Sequence, residues 1–194
     1  GPSGSGKSTL LKILSGIIVD YSGNVLIDGQ TLNPKNHNIG FIPQHYGLLS
    51  WKNVYENINL SQKIKNIKND NSINKVCERL GIHELLDKFP NQISGGQKQR
   101  VSLARALARE PSLVVMDEPF SSLDANLQSE IRQELEKVLK ITGTTSIFVS
   151  HDKEDAVSIA DKVIVLENGE IVQQGVTKKI INNPDSEYVA GLFS

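Results

Sequence analysis

The sequence predicts an α/β fold: a parallel sheet covered by helices, carrying an inserted helical lobe and a partial antiparallel β region. Three observations predict it. The β-branched and apolar runs "SLVVMD", "TTSIFVS" and "DKVIVL" alternate with helix-spaced segments, and such alternation implies parallel strands joined by crossovers. Between about residues 51 and 108 the strand signal fades and helical spacing takes over. "GNVLIDGQTL", by contrast, alternates around Asp28-Gly29, a hairpin-type turn. At 194 residues the chain suits a single domain, 1–194, with the helical lobe as a subdomain.

Each element follows from its residues. "GPSGSGKST" (Gly1–Thr9) is a glycine-rich loop feeding a helix, because Leu10, Leu11, Ile13 and Leu14 recur at helical spacing and Gly16 stops them. "NIGFIPQ" is a short apolar strand ending at Gln44. Inside the lobe, Ile73, Val76, Cys77 and Leu80 mark a helix before Gly81, and the polar "SQKIKNIKNDNSINK" reads as a solvated loop between helices. After the strand "SLVVMD", Leu127, Ile131, Leu135 and Val138 share one face of a helix from about Asn126 to Leu139. "TTSIFVS" gives the next strand, a short helix spans Lys153 to Ile159, and "DKVIVL" adds a further strand to the parallel series. "ENGEIVQQG" reads as a terminal hairpin, and "TKKIINNPDSEYVAGLF" as two short helices broken near Pro184.

Composition narrows the function classes. Lys+Arg 21 against Asp+Glu 22 leaves a formal charge of -1, so no basic excess points to nucleic acid or an acidic membrane surface. The single cysteine, Cys77, cannot form an internal disulfide, which suits a reducing cytoplasm. Runs such as "LVVM" and "VIVL" fall far short of the ~20 apolar residues a spanning helix needs, so any membrane role is expected through a partner. The chain starts at Gly1, directly on a motif that normally leaves a buried strand, and is expected to be a fragment whose upstream strands are missing.

The chemistry concentrates in a few stretches. "GPSGSGKS" satisfies GxxxxGK[ST]: the glycines let backbone N–H groups turn onto phosphate oxygens, Lys7 reaches the terminal phosphates and Ser8 offers a hydroxyl to Mg²⁺. "SLVVMDEP" ends a buried strand in two acids, costly unless a cation shares the site. Successive side chains on a strand point opposite ways, so Asp117 and Glu118 are expected to divide the work, one in the metal shell and the other toward a water. Gln44 and His151 each follow a strand on the edge where ligands bind in open α/β sheets, although alone each reads more readily as a packing or capping residue. "QISGGQKQR" (Gln92–Arg100) places Ser94, Gly95 and Gly96 at a helix start, a second anion cradle far from the first.

Together these residues resemble the nucleotide-binding subunit of an ATP-binding cassette (ABC) transporter, over essentially the whole chain, and the resemblance implies a P-loop NTPase (RecA-like) core. "GPSGSGKST" looks like the Walker A loop, Gln44 the Q-loop glutamine, "ISGGQ" the signature with Ile93 where leucine is usual, "LVVMDEP" the Walker B strand, "SSLD" the D-loop, and His151 the switch histidine. The resemblance implies ATP and Mg²⁺ as ligands. Gly1, Pro2, Ser3, Gly4, Ser5, Gly6, Lys7, Ser8 and Thr9 would hold the nucleotide; Ser8, Gln44 and Asp117 would hold the metal; Glu118, with Gln44 and His151, would drive hydrolysis. It implies further that two copies pack head-to-tail, Ser94, Gly95, Gly96 and Gln97 of one closing over the ATP of the other, with Asp124 at the interface.

The remaining expectations concern partners. "FIPQHYGLLSWKNVYENINL" is similar to the corresponding stretch of bacterial import cassettes of nitrate, sulfonate or taurine type, although Ser50 and Asn53 stand where proline and threonine are usual; "NNPDSEYVAGLF" is similar to their tails. That implies a peripheral subunit on the cytoplasmic face of the cell membrane, working with integral permease subunits, a second ATPase subunit and, indirectly, a solute-binding protein, without nucleic acid. Trp51 and Tyr55 either pack the lobe or contact the membrane partner. The alternatives are an exporter cassette and a cassette acting on nucleic acid or ribosomes; the long coiled coil of the DNA-repair branch is absent between Lys7 and Ser94. The aromatic residue that stacks on adenine in this family would lie upstream of Gly1.

Overall fold

The computed structural model describes residues 4–33, 37–63, 70–121 and 123–193. Their centre is a three-stranded parallel sheet of β3 (Ile39–Ile42), β4 (Leu113–Asp117) and β5 (Thr145–Val149), with β4 in the middle. All of β4 is buried, as expected for an unbroken apolar strand covered on both faces. Its side chains alternate between two cores. Leu113 and Val115 meet Leu11 of helix α1 (Lys7–Leu14), whereas Val114 and Met116 join the larger core formed with the helical lobe. Asp117 continues the 113–115 register and so faces α1.

Register does the rest of the positioning. Ile42 pairs with Met116 and Asp117 with Val149, all in parallel. Gln44, Glu118 and His151, each one or two residues past its strand, therefore emerge along one carboxyl edge of the sheet, where α/β proteins bind ligands.

The lobe comprises α2 (Val54–Lys63), α3 (Asp70–Arg79), two single 3-10 turns and α4 (Gly95–Leu107). Ile73, Val76, Cys77 and Leu80 are all buried, as their spacing predicts. Burial lifts the Cys77 thiol to about 11. The lobe and the sheet share one core, because α4 packs on both α2 and β3. The closeness of that contact depends on Gly40, where a Cβ would stand 2.9 Å from the Ala106 carbonyl oxygen. Asn57, fully buried, fastens the entry to the lobe by accepting from the Leu49 N–H and donating to the carbonyls of Leu49, Lys52 and Asn53. Trp51 is 71 % exposed, while Tyr55 packs against the core.

Helix α5 (Ala125–Thr142) and helix α6 (Lys153–Ile159) follow β4 and β5, α6 with the bounds its pattern predicts. The antiparallel pieces are the hairpin of β1 (Leu26–Ile27) and β2 (Gln30–Thr31), turning at Asp28-Gly29, and that of β6 (Lys162–Glu167) and β7 (Glu170–Val176), turning at Asn168-Gly169. All four turn residues have positive φ, the requirement of a tight two-residue hairpin. Helices α7 (Thr177–Asn182) and α8 (Glu187–Phe193), separated around Pro184, pack on the second hairpin through Ile180 and Val189.

The fold corrects two expectations. Among the described residues, "DKVIVL" does not extend the parallel sheet: β6 pairs only with β7. Its burial alternates, as suits a hairpin arm with one covered face. The solvated loop read across 61–75 is too long: α2 reaches Lys63 and α3 begins at Asp70, with Ser72 and Ile73 buried. Residues 64–69 lie outside the described residues. On either side of them, Gln62 and Ser72 serve the interior, for Gln62 donates to Ser72 Oγ (2.9 Å) and Ser72 to the Ala108 carbonyl (2.6 Å).

Candidate active site

Gly1, Pro2 and Ser3 lie outside the described residues; from Gly4 onward the first cradle is visible. Gly4 and Gly6 have φ of 84° and 87°, a backbone open to glycine at little cost, and the Gly6 turn leads directly into α1. Lys7 Nζ donates to Ser5 Oγ at 3.2 Å, folding the lysine back along its own loop, and Thr9 is exposed beside it.

Ser8 ties this loop to the sheet. Its hydroxyl donates to Asp117 Oδ1 at 2.8 Å. Asp117 is only 7 % exposed, and among the described residues its carboxylate accepts from this neutral hydroxyl alone. A buried carboxylate so lightly compensated favours a cation. Hydroxyl and carboxylate are both hard oxygen donors, the set that Mg²⁺ takes. The residues present thus fit that ion, with Ser8 and Asp117 as its protein side.

Gln44, Glu118 and His151 form a second group on the same edge. Gln44 Nε2 donates to Glu118 Oε2 at 2.9 Å, and His151 Nδ1 stands 3.3 Å from Glu118 Oε1. Gln44 thus meets Glu118 and not the Ser8–Asp117 pair, leaving its amide Oε1 as the atom a cation would use. The two acids have separate partners: Asp117 turns to Ser8, Glu118 to Gln44 and His151. Glu118 achieves this by leaving the strand. Its N–H still donates to the Val149 carbonyl at 2.9 Å, but its φ is 47°, a left-handed conformation costing an ordinary residue about 1 kcal/mol. Pro119 then ends the ladder.

The second cradle lies at the start of α4 and is closed on itself. Ser94 Oγ accepts from the Gln97 N–H (3.3 Å) while Gln97 Oε1 accepts from the Ser94 N–H (2.9 Å), a reciprocal capping box. Gly96 allows α4 to meet α5, since a Cβ there would lie 2.9 Å from Leu127 Cδ1. Among the described residues no hydrogen bond or ion pair joins this cradle to the Gly4–Ser8 loop. Asp124 caps α5, accepting from the Leu127 N–H at 3.0 Å, and is exposed.

Sequence reasoning missed the link between Gln44 and α4. Ser102 Oγ (2.9 Å) and Arg105 (2.7 Å) both donate to the Tyr46 carbonyl, and Arg105 also reaches the Gly47 carbonyl at 2.6 Å. Burial lowers the Arg105 pKa. Tyr46 itself has φ of 59°, and its hydroxyl lies 3.7 Å from the position of a Cβ on Gly95. The turn after Gln44 is therefore clamped to the helix that carries the second cradle. No pattern in the sequence marks it, because each bond reaches a backbone carbonyl more than 50 residues away.

The family model described as "ABC transporter" matches residues 1–121. The chain is 39% identical over 197 residues to a sulfate/thiosulfate import ATP-binding protein of Agrobacterium fabrum, covering 97% of this chain and 58% of that protein. It is 38% identical to a probable sulfate/thiosulfate import ATP-binding protein of Chlorella vulgaris, covering 100% of this chain and 84% of that one. Among solved structures it matches cbiO1 from Clostridium perfringens, described as part of the ABC transporter complex cbiONQ, with a TM-score of 0.82, 31% identity and coverage of 94% of this chain and 77% of the other. The chain thus spans under two thirds of several curated relatives it matches, 56% to 60% for those from Synechocystis and Pectobacterium. Its glycine loop, the acids closing β4 and the matches agree: the chain belongs to the ABC transporter family, among its ATP-binding domains.

Proposed function

We propose that this chain binds and hydrolyses ATP to drive solute import through a membrane permease, acting as one domain over 1–194 with a helical lobe at about 51–108. The observation that carries the reading is the meeting of two groups on one sheet edge, Ser8 with Asp117 and Glu118 with Gln44 and His151. Lys7 and the N–H groups of the first loop would hold the phosphates. Mg²⁺, which Ser8, Asp117 and the Gln44 amide oxygen would hold, would supply neutralising charge to the β- and γ-phosphates.

Glu118 would orient a water and take its proton as the water oxygen bonds to the γ-phosphorus and the bond to the β-phosphate oxygen breaks, releasing ADP and phosphate. Gln44 and His151 hold that carboxylate from two sides. His151 would also face the γ-phosphate.

The second cradle supports a head-to-tail dimer. Ser94 and the N–H groups of Gly95 and Gly96 have a positive helix end but no acid in the first turn of α4, so they suit a terminal phosphate presented by another copy, with Asp124 and Gln97 nearby. Hydrolysis would then remove the ligand that favours closure. Trp51, exposed at the entrance to the lobe, is the residue we assign to the permease contact. The importer direction rests on the relatives, whose names include sulfate/thiosulfate import and, for one from Agrobacterium fabrum, sulfoquinovosyl glycerol transport. We assign it as a peripheral subunit at the cytoplasmic face; no described helix is long and apolar enough to cross a membrane.

Glu118→Gln in the full-length protein tests the reading. Turnover should fall about 10²- to 10⁴-fold, while nucleotide binding persists and ATP-bound dimers accumulate on gel filtration. Retained turnover would remove Glu118 from the chemistry, and a wild-type rate per molecule that is flat with protein concentration would remove the dimer.

A further inference from the structure

A cluster of charges built on the buried pair Arg132 and Asp155 stands behind the active edge, and nothing in the hydrolytic scheme uses it. Arg132, in the middle of α5, is only 6 % exposed in its side chain. Its Nε donates to Asp155 Oδ1 at 2.5 Å, and its terminal nitrogens reach Asp152 Oδ2 at 2.6 Å and Glu154 Oε2 at 3.1 Å. The guanidinium also sits over the Phe120 ring, 5.7 Å from its centroid. Burial works against its charge, yet the bond to Asp155 and the charges of Asp155, Asp152 and Glu154 outweigh burial and hold its pKa above the usual guanidinium value.

The partners of this cluster flank the two catalytic loops. Asp155, 4 % exposed, also accepts from Ser150 Oγ, and Ser150 Oγ accepts from the Asp152 N–H at 2.9 Å. Both neighbours of His151 are thus fixed. One helical turn before Arg132, Gln128 accepts from its guanidinium at 3.3 Å and donates to the carbonyls of Phe120 (3.1 Å) and Leu123 (3.0 Å). Those carbonyls belong to the turn that follows Glu118. Two side chains of one helix therefore grip the loop of the proposed base and the loop of its histidine.

Stability alone is a poor reason for such an arrangement, since desolvation offsets much of what a buried ion pair gains and an apolar pair of similar volume often serves as well. What an apolar pair cannot do is fix two polar loops in register. We propose that Arg132 is a positioning residue, which through Asp155 and Asp152 on one side and Gln128 on the other sets His151 against Glu118. The inference rests on the hydrolytic role assigned above to His151.

The test is steady-state ATP turnover of the full-length protein, with affinity for a fluorescent ATP analogue and melting temperature measured in parallel. Arg132→Met with Asp155→Leu replaces the pair by apolar side chains. Its kcat should fall about 10- to 100-fold, the scale of a misplaced catalytic group, with the KM for ATP and the melting temperature near wild type. Because Arg132 acts through His151, adding His151→Ala to that pair should cost little beyond His151→Ala alone. Wild-type kcat in the apolar pair, or losses that multiply in full, would overturn the proposal.

Should the apolar pair not fold, Asp152→Ser keeps a side chain able to cap α6 but loses the bond to Arg132. It should lower kcat about three- to tenfold at unchanged melting temperature; unchanged kcat counts against the proposal. His151→Ala with wild-type turnover would sink the reading of His151 and this inference with it. A slow His151→Ala beside a fast Arg132→Met/Asp155→Leu sinks only this inference.

Discussion

The two glycine-rich cradles look alike in sequence and differ in what stands behind them. At Gly4–Ser8 the helix start is backed by Asp117 through Ser8, with Glu118 emerging on the same sheet edge. At Ser94–Gly96 the neighbours are Leu123, Leu127 and the Tyr46 hydroxyl, and the first turn of α4 holds no acid. The first helix start has Gly6 as its cap, which brings no side chain to the N–H groups, whereas the second is closed by its own Ser94–Gln97 box. In the reading proposed above, the first cradle is the one that takes the cation and carries the chemistry. The other offers only a helix dipole and hydroxyls, which suit an anion brought by another molecule.

The largest expected effect separates the two directly. Lys7→Ala should weaken nucleotide binding to the isolated protein about 10- to 100-fold, the loss of one charge-assisted contact. Ser94→Arg should leave that affinity unchanged while cutting turnover about 100-fold or more, because the bulk stands where the partner's phosphate must enter. Equilibrium binding and turnover on the same preparations distinguish them. A Ser94→Arg protein that binds nucleotide as poorly as Lys7→Ala would mean that both cradles serve one nucleotide within one chain, and the contrast would be lost.

A smaller effect tests what holds the cradles in fixed relation. Helix α4 carries the second at its start and lies against β3, whose far end delivers Gln44 to Glu118 on the sheet edge that the first cradle shares. Gly40→Ala would push a methyl to 2.9 Å from the Ala106 carbonyl oxygen, a backbone atom that cannot swing aside. Overpacking of this kind costs about 1–3 kcal/mol, read as a lower urea midpoint at constant m-value. An unchanged midpoint would show that α4 and β3 slide apart freely, leaving the Arg105 and Ser102 bonds to the Tyr46 turn as the tie between the cradles.

How much was legible in the sequence follows the range of each interaction. The hairpin at Asp28-Gly29 and the bounds of α6 rest on a few adjacent residues, and the structure has them as read. The strand-end acids and Gln44 were legible too, because parallel register carries any residue just past a strand to the same edge. The partner of β6 was not, since "DKVIVL" suits a buried parallel strand and a hairpin arm equally, and pairing with β7 decides between them. Polar composition likewise misled at Ser72, whose hydroxyl meets the buried Ala108 carbonyl 36 residues on. Arg132 reads as one more charge on an amphipathic helix until Asp155, 23 residues away, folds over it.

The smallest effect concerns Asp124, where the observed local role is weighed against the proposed interface role. Its carboxylate accepts from the Leu127 N–H at 3.0 Å and so caps α5 at the point where that helix meets Gly96 of the second cradle. Asp124→Ala should cost about 1 kcal/mol, the usual loss of an N-cap, whether or not a second copy docks there. Asp124→Ser keeps a capping oxygen and should restore most of that stability. If capping is the whole task, turnover returns with it. If the exposed carboxylate also meets the partner copy, the serine protein should melt like wild type yet turn over more slowly, with the deficit shrinking as protein concentration rises and mass action restores the dimer. A deficit that ignores concentration would assign Asp124 to the chemistry of its own chain and move the boundary between the two cradles inward from the interface.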